Sequence, residues 1–355
     1  MRALITGAGG FAGSHLTEYL ASATDWELFG VVRPRPATLL AGTGLDAAAQ
    51  RSEPPEQRPS LDPAWAARCR LHGVEAELSS FDDTRALLAD VRPDFVFHLA
   101  AQAIVQLALA DPEATLVNNL AGQLNMLRGL RDLGLAARLL SIGSGEEYGH
   151  VGPEDLPVDE DTPFRPENAY AVSKIAADML SLQYYITYRL PVVRVRPFNH
   201  IGPRQSENFV TAAFARQVAR SEAGLQEPVL RVGNLTAQRD FTDVRDMVRA
   251  YHLAITDGEP GAVYNIGSGK GVAIQAILDA FVGMSRLPVR VEQDPARMRP
   301  SDVPVIVCDP RRFVERTGWQ PTIPLRQSLA DILDYWRDRA AAEAAAARPA
   351  GGGRL

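Results

Sequence analysis

The sequence predicts an α/β protein built on a doubly wound parallel sheet, with a smaller mixed C-terminal lobe. Three features of the chain lead to this fold class. Short apolar segments alternate with helical segments from residue 2 to about residue 198, a pattern typical of parallel strands with helices on both faces of the sheet. A glycine-rich turn at residues 7–13 joins the first apolar segment to the first helix. Beyond residue 198 the alternation loses its regularity, which indicates a second lobe.

The composition excludes several classes of protein. The 355 residues are 46% hydrophobic, enough for the core of one large domain or two joined ones. The net charge of -6 offers no attraction to nucleic acid or to an anionic membrane. Cys69 and Cys308 are far apart and indicate neither a disulfide framework nor a metal site. The chain enters its first strand at residue 2, without a signal peptide or an apolar segment of membrane-spanning length, so we expect a cytoplasmic protein.

The individual elements follow from the hydrophobic period and from the turn residues. Runs of apolar and β-branched residues predict strands at residues 2–6, 27–32, 70–74, 94–99, 138–142, 191–195 and 263–266. Helical spacing of apolar residues predicts helices at 14–22, 82–90, 112–133, 167–189, 209–221 and 273–285. The predicted domains are residues 1–198 and 199–339, with strands or helices exchanged between them.

Two segments carry no clear period. Residues 34–69 are rich in Ala, Pro, Arg and Glu, and their prolines argue against a regular element. We predict an irregular insertion there and assign it no function. Residues 340–355 are Ala-rich and then Gly-rich, which predicts a disordered tail.

The turn after the first strand predicts a dinucleotide site. Gly7 allows the tight turn, Gly10 allows close approach of a pyrophosphate, and Gly13 allows the helix to pack on the strand. Phe11 and Ala12 lie within the same turn. The spacing is G-x-x-G-x-x-G, and a glycine turn with only a structural role is the alternative.

The end of the second strand bears on the choice of cofactor. Arg33 stands where an NAD-specific site usually places an acidic residue, and an arginine there accommodates the 2′-phosphate of NADP. The alternative is that Arg33 is a solvated loop residue.

Because ligands of parallel sheets bind beyond the carboxyl ends of the strands, we expect Ala100, Ala101, Gln102 and Ser144 on the same rim. His98, at the end of an apolar strand, is predicted to be a packed histidine.

The segment Tyr170-Ala-Val-Ser-Lys174 predicts the catalytic pair. Residues four apart share one face of a helix, and a neighbouring ammonium lowers the pKa of a phenol that is ordinarily about 10. The phenol can then exchange a proton with a sugar or alcohol oxygen. Lys174 and Lys270 are the two lysines of the chain. An accidental pair on a solvated helix is the alternative.

The strand at 138–142 leads into a second group of candidates. Ser144 can donate a hydrogen bond to the oxygen whose proton Tyr170 handles, and Glu146 can act as a general base. Capping of a turn is the alternative role of Glu146.

In the second half of the chain, planar guanidinium groups suit diphosphates and base edges. The candidate arginines there, each of which has a surface role as its alternative, are Arg204, Arg231, Arg239 and Arg299.

These motifs together resemble the extended short-chain dehydrogenase/reductase family, in its nucleotide-sugar branch. The resemblance covers about residues 1–337 apart from the insertion. It depends on the segments at 6–13, 98–101 and 196–199 and on Asn119, Ser144, Tyr170 and Lys174. Segments at 199–200, 232–235, 239–240 and 299–302 are similar to the group that contains GDP-mannose 4,6-dehydratase and GDP-4-keto-6-deoxy-mannose reductase.

The resemblance implies a Rossmann fold, bound NADP(H) with NAD(H) less expected, Ser/Tyr/Lys catalysis and a homodimer. It implies a substrate that is a nucleoside diphosphate sugar, with a GDP-sugar favoured. Besides the glycine turn, Arg33 and the Tyr/Lys pair, the expected cofactor contacts are Glu77, Leu78, Ala100, Ala101, Asn119 and Pro197. The expected substrate contacts are Gln102, Asn199, Arg204, Val210, Arg231, Asn234, Arg239, Arg299 and Asp302.

The resemblance leaves the reaction open. A 4,6-dehydratase needs a base and a group that assists departure of the C6 hydroxyl directly after the catalytic Ser/Thr. Glu146 stands at the position of the base, but Gly145 before it has no protic group. A 4-keto reductase needs only the hydride, Tyr170, Lys174 and Ser144, and we favour it. A 4,6-dehydratase or an epimerase is the alternative, and a non-catalytic NADP-binding regulator is a remote one.

Overall fold

The structure is a computed structural model and describes residues 1–32, 62–298 and 303–347. Within these ranges the strands are β1 (Arg2–Thr6), β2 (Glu27–Val32), β3 (Leu71–Glu75), β4 (Phe95–His98), β5 (Arg138–Ile142), β6 (Val192–Pro197), β7 (Asn199–Ile201), β8 (Val229–Val232), β9 (Gln238–Asp243), β10 (Val263–Ile266), β11 (Gly271–Ala273), β12 (Arg290–Gln293) and β13 (Val305–Ile306). The helices are α1 (Phe11–Ala23), α2 (Pro63–Arg68), α3 (Phe81–Val91), α4 (Val105–Ala110), α5 (Pro112–Asp132), α6 (Ala169–Tyr188), α7 (Val210–Glu222), α8 (Val244–Asp257), α9 (Ile274–Met284), α10 (Arg311–Thr317) and α11 (Leu325–Ala347). None of these helices is both long and apolar enough to cross a membrane.

The main sheet has seven strands in the order β10-β6-β5-β4-β1-β2-β3. Every pairing in it is parallel. The chain builds outward from β1 to β3, then returns to the other side of β1 and builds outward from β4. A crevice therefore forms beyond the carboxyl ends of β1 and β4, where this type of sheet binds ligands. The predicted doubly wound α/β fold is confirmed.

Helices cover both faces of this sheet because its strands are apolar on both sides. One buried layer includes Leu16 and Leu20 of α1, together with Met247 and Tyr251 of α8. The other packs α3, α5 and α6 against the sheet. Full burial of a leucine side chain contributes about 1.5–3 kcal/mol. Since α8 and β10 come from the chain beyond residue 198, that half of the chain completes the first sheet; the domain boundary itself stays a prediction.

The rest of the second half forms a smaller mixed unit. β8 and β12 pair in parallel, and β9 pairs with β7, β11 and β13. The helices α7, α9 and α11 pack together around a core that contains Phe214, Phe281 and Ile332. β7 follows β6 directly, so this unit begins at the edge of the crevice.

The structure corrects two predictions about irregular segments. Residues 340–347 are helical, since α11 continues to Ala347; alanine has the highest intrinsic helix propensity, and Ala340 is buried. Within the predicted insertion, α2 forms with Pro63 in its first turn, and the Asp62 carboxylate caps it by accepting a hydrogen bond from Trp65 N. The remainder of that insertion, residues 34–61, and residues 348–355 lie outside the described residues. The sequence analysis also missed α4 and α8.

Candidate active site

The glycine turn forms a tight cradle between β1 and α1. Gly7 adopts a φ of +70°, which favours glycine, and its carbonyl accepts a hydrogen bond from Gly10 N at 2.9 Å. A Cβ atom on Gly13 would lie 2.0 Å from Gly7 O, and one on Gly7 would lie 3.1 Å from Ala100 N. The missing side chains let the turn pack closely against α1 and against the backbone that follows β4, and the N-terminus of α1 attracts anions. The cradle therefore fits the pyrophosphate of a dinucleotide.

Hydrogen bonds fix the two strand ends that flank the cradle. Thr6 Oγ1 accepts a hydrogen bond from Ala100 N at 3.0 Å and lies 3.0 Å from His98 Nδ1. His98 is buried, as predicted, and burial lowers its pKa to about 3. The imidazole is therefore neutral at physiological pH and serves packing rather than ligand binding.

A cavity of about 1300 Å³ extends from this cradle to the second lobe. Most residues predicted for the site line it. Those for the cofactor are Gly7, Gly10, Phe11, Ala12, Gly13, Glu77, Leu78, Ala100, Ala101 and Pro197, those for catalysis are Ser144, Glu146, Tyr170 and Lys174, and those for the substrate are Asn199, Val210, Arg231, Asn234 and Arg239. Arg33, Arg299 and Asp302 lie outside the described residues.

Helix α6 presents the predicted pair to the middle of the cavity. The Asn168 side chain caps the helix by accepting a hydrogen bond from Ala171 N at 2.8 Å, which sets its first turn. Tyr170 and Lys174 follow one turn apart, and both are buried. Ser144 lines the same cavity, and its side chain affects the ionisation of the Tyr170 phenol. Lys174 Nζ donates a hydrogen bond to Ile142 O at 2.8 Å and lies 5.9 Å from the centre of the Tyr170 ring.

The ionisation of this pair differs from the prediction. Burial raises the pKa of the Tyr170 phenol, the Ser144 hydrogen bond opposes that shift, and the charges of Glu146 and Glu147 add to it. Burial also lowers the pKa of Lys174 to about 8. The predicted fall in the phenol pKa is therefore wrong for this state, because burial sets the direction of the shift. The phenol is therefore protonated at neutral pH, and donation of that proton requires a neighbouring charge that stabilises the phenolate.

The two adjacent carboxylates after Ser144 have different surroundings. Glu147 is fully buried and accepts a hydrogen bond from Ser144 N at 2.8 Å. Ser144 Oγ in turn accepts one from Glu146 N at 3.1 Å. Capping of the turn was the alternative role predicted for Glu146. Glu147 forms this cap instead, while Glu146 lines the cavity. The sequence analysis missed Glu147, although Ser144-x-x-Glu147 has the spacing of a capping box.

Three predicted contacts do not lie on the cavity wall. Arg204 makes a two-point ion pair with Glu18, at 2.6 and 2.8 Å. The Gln102 side chain donates hydrogen bonds to Thr115 Oγ1 and Ile104 O, both at 3.0 Å. We therefore withdraw the assignment of Arg204 and Gln102 to the substrate. Arg204 is paired with a carboxylate on α1 that is 186 positions away in the sequence, whereas the partners of the Gln102 side chain lie 2 and 13 positions along the chain.

Asn119, predicted to contact the cofactor, supports the wall from behind. Its Nδ2 donates to Gln102 O and to Ser173 Oγ, both at 3.0 Å, and its Oδ1 accepts from Gln102 N at 2.7 Å. Its neighbour Asn118 lines the cavity in its place.

Two other cavity residues, Phe198 and His200, were not predicted as site residues, although both lie in segments that carry the family resemblance. The ring of Phe11 stacks on that of His200, with centres 5.8 Å apart and planes 3° apart. This contact joins the cradle to β7 and can be seen only once the two lobes are assembled. Phe198 also lines the cavity, and a Cβ on Gly145 would lie 3.1 Å from its ring.

Comparison with known proteins places the chain among nucleotide-sugar enzymes. The family model of GDP-mannose 4,6 dehydratase matches residues 4–332. The GDP-6-deoxy-D-mannose reductase of Pseudomonas aeruginosa is 38% identical over 95% of this chain and 98% of the relative. The GDP-mannose 4,6-dehydratase of Vibrio cholerae is 29% identical over 93% of this chain and 92% of the relative. The solved structure of RMD from Pseudomonas aeruginosa complexed with NADPH has a TM-score of 0.78 and 36% identity, covering 95% of this chain and 99% of that one.

These matches extend over both lobes and agree with the glycine cradle and the buried Ser144, Tyr170 and Lys174. The resemblance inferred from the motifs is thereby confirmed. The chain belongs to the GDP-mannose 4,6-dehydratase family.

Proposed function

We propose that this protein is an NADPH-dependent reductase that converts the 4-keto group of GDP-4-keto-6-deoxy-mannose to an alcohol. The observation that carries the proposal is the placement of the Tyr170 phenol, with Ser144 and Lys174, on the wall of the cavity that contains the glycine cradle. Reduction of a ketone requires a proton donor at the oxygen. The reductase relative of Pseudomonas aeruginosa and the NADPH complex of RMD support the same assignment.

Each part of the cavity has a distinct task in this reaction. The cradle of Gly7, Gly10 and Gly13 holds the pyrophosphate of NADPH, and the bound nicotinamide supplies the hydride. Tyr170 donates its proton to the C4 oxygen, and Ser144 orients that oxygen. Lys174, fixed by Ile142 O, places a positive charge near the phenolate that forms, which lowers the cost of losing the proton.

The second lobe holds the nucleoside diphosphate. Arg231 and Arg239 line the cavity on the side away from the glycine cradle, with Asn199 and Asn234. Arg239 donates a hydrogen bond to Val303 O at 2.7 Å, so its guanidinium is anchored. Guanidinium groups bind phosphates through paired hydrogen bonds. We propose that these arginines bind the diphosphate of a GDP-sugar.

A dehydratase is the second candidate, because Glu146 faces the same cavity and its charge affects Tyr170. Two features favour the reductase. Gly145 has no group to protonate a leaving hydroxyl, and the apolar ring of Phe198 occupies the adjoining space.

The test offers the protein each substrate separately. With GDP-4-keto-6-deoxy-mannose and NADPH we expect loss of the NADPH absorbance and formation of a GDP-6-deoxyhexose, measured by mass spectrometry. With GDP-mannose and NADP⁺ we expect no 4-keto product. If the protein turns over only GDP-mannose, it is a dehydratase and not a reductase. If it turns over neither substrate, both proposed functions are refuted.

We further propose that the protein is a homodimer through α5 and α6. These two helices pack together and carry exposed apolar side chains at seven-residue spacing, Val117 and Leu124 on α5 and Val172, Met179 and Ile186 on α6. Residues seven apart lie on one helix face, and an exposed apolar stripe of this kind indicates an interface.

Met179→Arg should therefore dissociate the dimer, because a charge in an apolar interface lacks a partner. Analytical ultracentrifugation at micromolar concentration should show a dimer for the unaltered protein and a monomer for the variant. Leu287→Arg, a change at another exposed apolar residue, is the control and should stay dimeric. A monomeric unaltered protein would contradict the proposal.

A further inference from the structure

A cluster of buried charges lies directly behind the catalytic cavity. Arg196 donates hydrogen bonds to Asp178 Oδ2 from Nε and Nη2, at 3.0 and 2.6 Å, and Arg194 donates to Asp178 Oδ1 at 2.9 Å. Asp178 lies on α6 one turn beyond Lys174, which itself follows Tyr170 by one turn. Glu147 joins the cluster through its Oε2, 3.2 Å from Arg196 Nε. The cluster thus reaches from the back of β6 to the catalytic residues.

Glu147 connects this cluster to Ser144. Its Oε1 accepts the backbone hydrogen bond of Ser144 at 2.8 Å. Gly143 makes room for it, because a Cβ there would lie 2.3 Å from the same Oε1. Its Oε2 is buried and, among the described residues, has the Arg196 ion pair but no hydrogen bond of good geometry. A fully buried carboxylate is costly to keep, so a position built around one points to a function.

We propose that Glu147 is a positioning residue for the reaction: its buried side chain holds the Ser144 turn in place and ties that turn, through Arg196, to Asp178, which lies one helical turn beyond Lys174. The role of Glu147 in catalysis rests on the proposed reductase function. Its contacts with Ser144 and with the charge cluster are features of the structure and do not depend on that function.

The charges around Glu147 support this role. Burial raises the pKa of Glu147 to about 8, Asp178 adds to the shift, and Arg196, the Ser144 N–H and Lys174 oppose it. Lys174 has its pKa lowered to about 8 by burial, and Glu147 opposes that shift. The two groups therefore titrate in the same range, and a negative charge on Glu147 favours the proton on Lys174. Loss of that charge should lower the Lys174 pKa.

The composition of the chain allows a direct measurement. Lys174 and Lys270 are its two lysines, so protein grown with [¹³Cε]-lysine gives one NMR signal from each. The full-length protein without substrate is titrated from pH 6 to pH 11. In Glu147→Gln the Lys174 midpoint should fall by roughly one unit, the effect of removing one adjacent buried charge, while exposed Lys270 is unchanged. An unchanged Lys174 midpoint would overturn the proposal, whether or not the protein is a reductase.

A matched control separates this effect from loss of any buried carboxylate. Glu160 is also buried; its Oε1 accepts a hydrogen bond from Asn265 N at 2.7 Å, and its Oε2 lies 3.4 Å from Arg312 Nε. Glu160→Gln should leave the Lys174 midpoint where it is. An equal fall in both variants would overturn the specific role of Glu147.

A second variant separates charge from position and covers the case in which Glu147→Gln does not fold. Glu147→Asp keeps the charge but is one methylene shorter, so it cannot hold Ser144 N in the same place. We expect a Lys174 midpoint near that of the unaltered protein, an unchanged KM for NADPH and a kcat lower by about tenfold, since small misplacements of catalytic groups are costly. An unchanged kcat would overturn the positioning role.

Discussion

Tyr170→Phe should lower kcat by about 10²–10⁴-fold, the usual contribution of a positioned proton donor. The Tyr170 side chain lines the cavity, and phenylalanine keeps the ring and removes only the hydroxyl. The cradle at residues 7–13 is unaltered, so the Kd for NADPH should change little. Stopped-flow measurement of NADPH oxidation, with a fluorescence titration of NADPH binding, tests both parts.

The control for this prediction lies on the same helix. Tyr188 at the end of α6 is 46% exposed, so Tyr188→Phe makes the same chemical change away from the cavity and should keep normal kcat. If Tyr170→Phe also keeps normal kcat, the proposed proton donor is wrong. A non-catalytic NADP-binding regulator would show no turnover to lose and would bind NADPH equally in both variants.

Gly13→Ala should raise the Kd for NADPH by about 10²-fold or more, because misplacing a binding group by about 1 Å has an effect of this order. The new Cβ would lie 2.0 Å from Gly7 O and 2.8 Å from Gly7 C. Both atoms belong to the backbone and cannot rotate away, so α1 must shift from β1. The amides that bind the pyrophosphate move with it. Isothermal titration with NADPH measures the loss.

Gly283→Ala is the matched control, since Gly283 also lies in a helix, α9, but has no described atom within 4 Å of its Cβ position. There the substitution should leave NADPH binding unchanged and stabilise the protein by about 0.5–1 kcal/mol, the usual gain for alanine over glycine in a helix. Normal NADPH affinity in Gly13→Ala would show that the cofactor does not bind in the cradle.

Local patterns in the chain were sufficient for much of the fold and of the site. The strands at residues 2–6, 27–32, 138–142 and 263–266 have the predicted bounds, because an apolar run between turn residues is itself the signal for a buried strand. The glycine turn and the Tyr170/Lys174 pair are likewise short-range features. Their conformations depend on residues within one turn of the chain.

The tertiary structure decided what depends on distant partners. The guanidinium of Arg204 could bind either a phosphate or a carboxylate. Only the folded chain brings Glu18, 186 positions earlier, within hydrogen-bonding distance of it. Burial raises the pKa of Tyr170, which is the opposite of the shift expected from its neighbour Lys174. Glu147 likewise owes its role to Arg196, 49 positions later in the sequence. The sequence by itself determined the glycine turn and the groups Ser144, Glu146, Tyr170 and Lys174 of the site. Burial and long-range pairing determined the charge of these groups and which other predicted residues face the cavity, since both are properties of the assembled core.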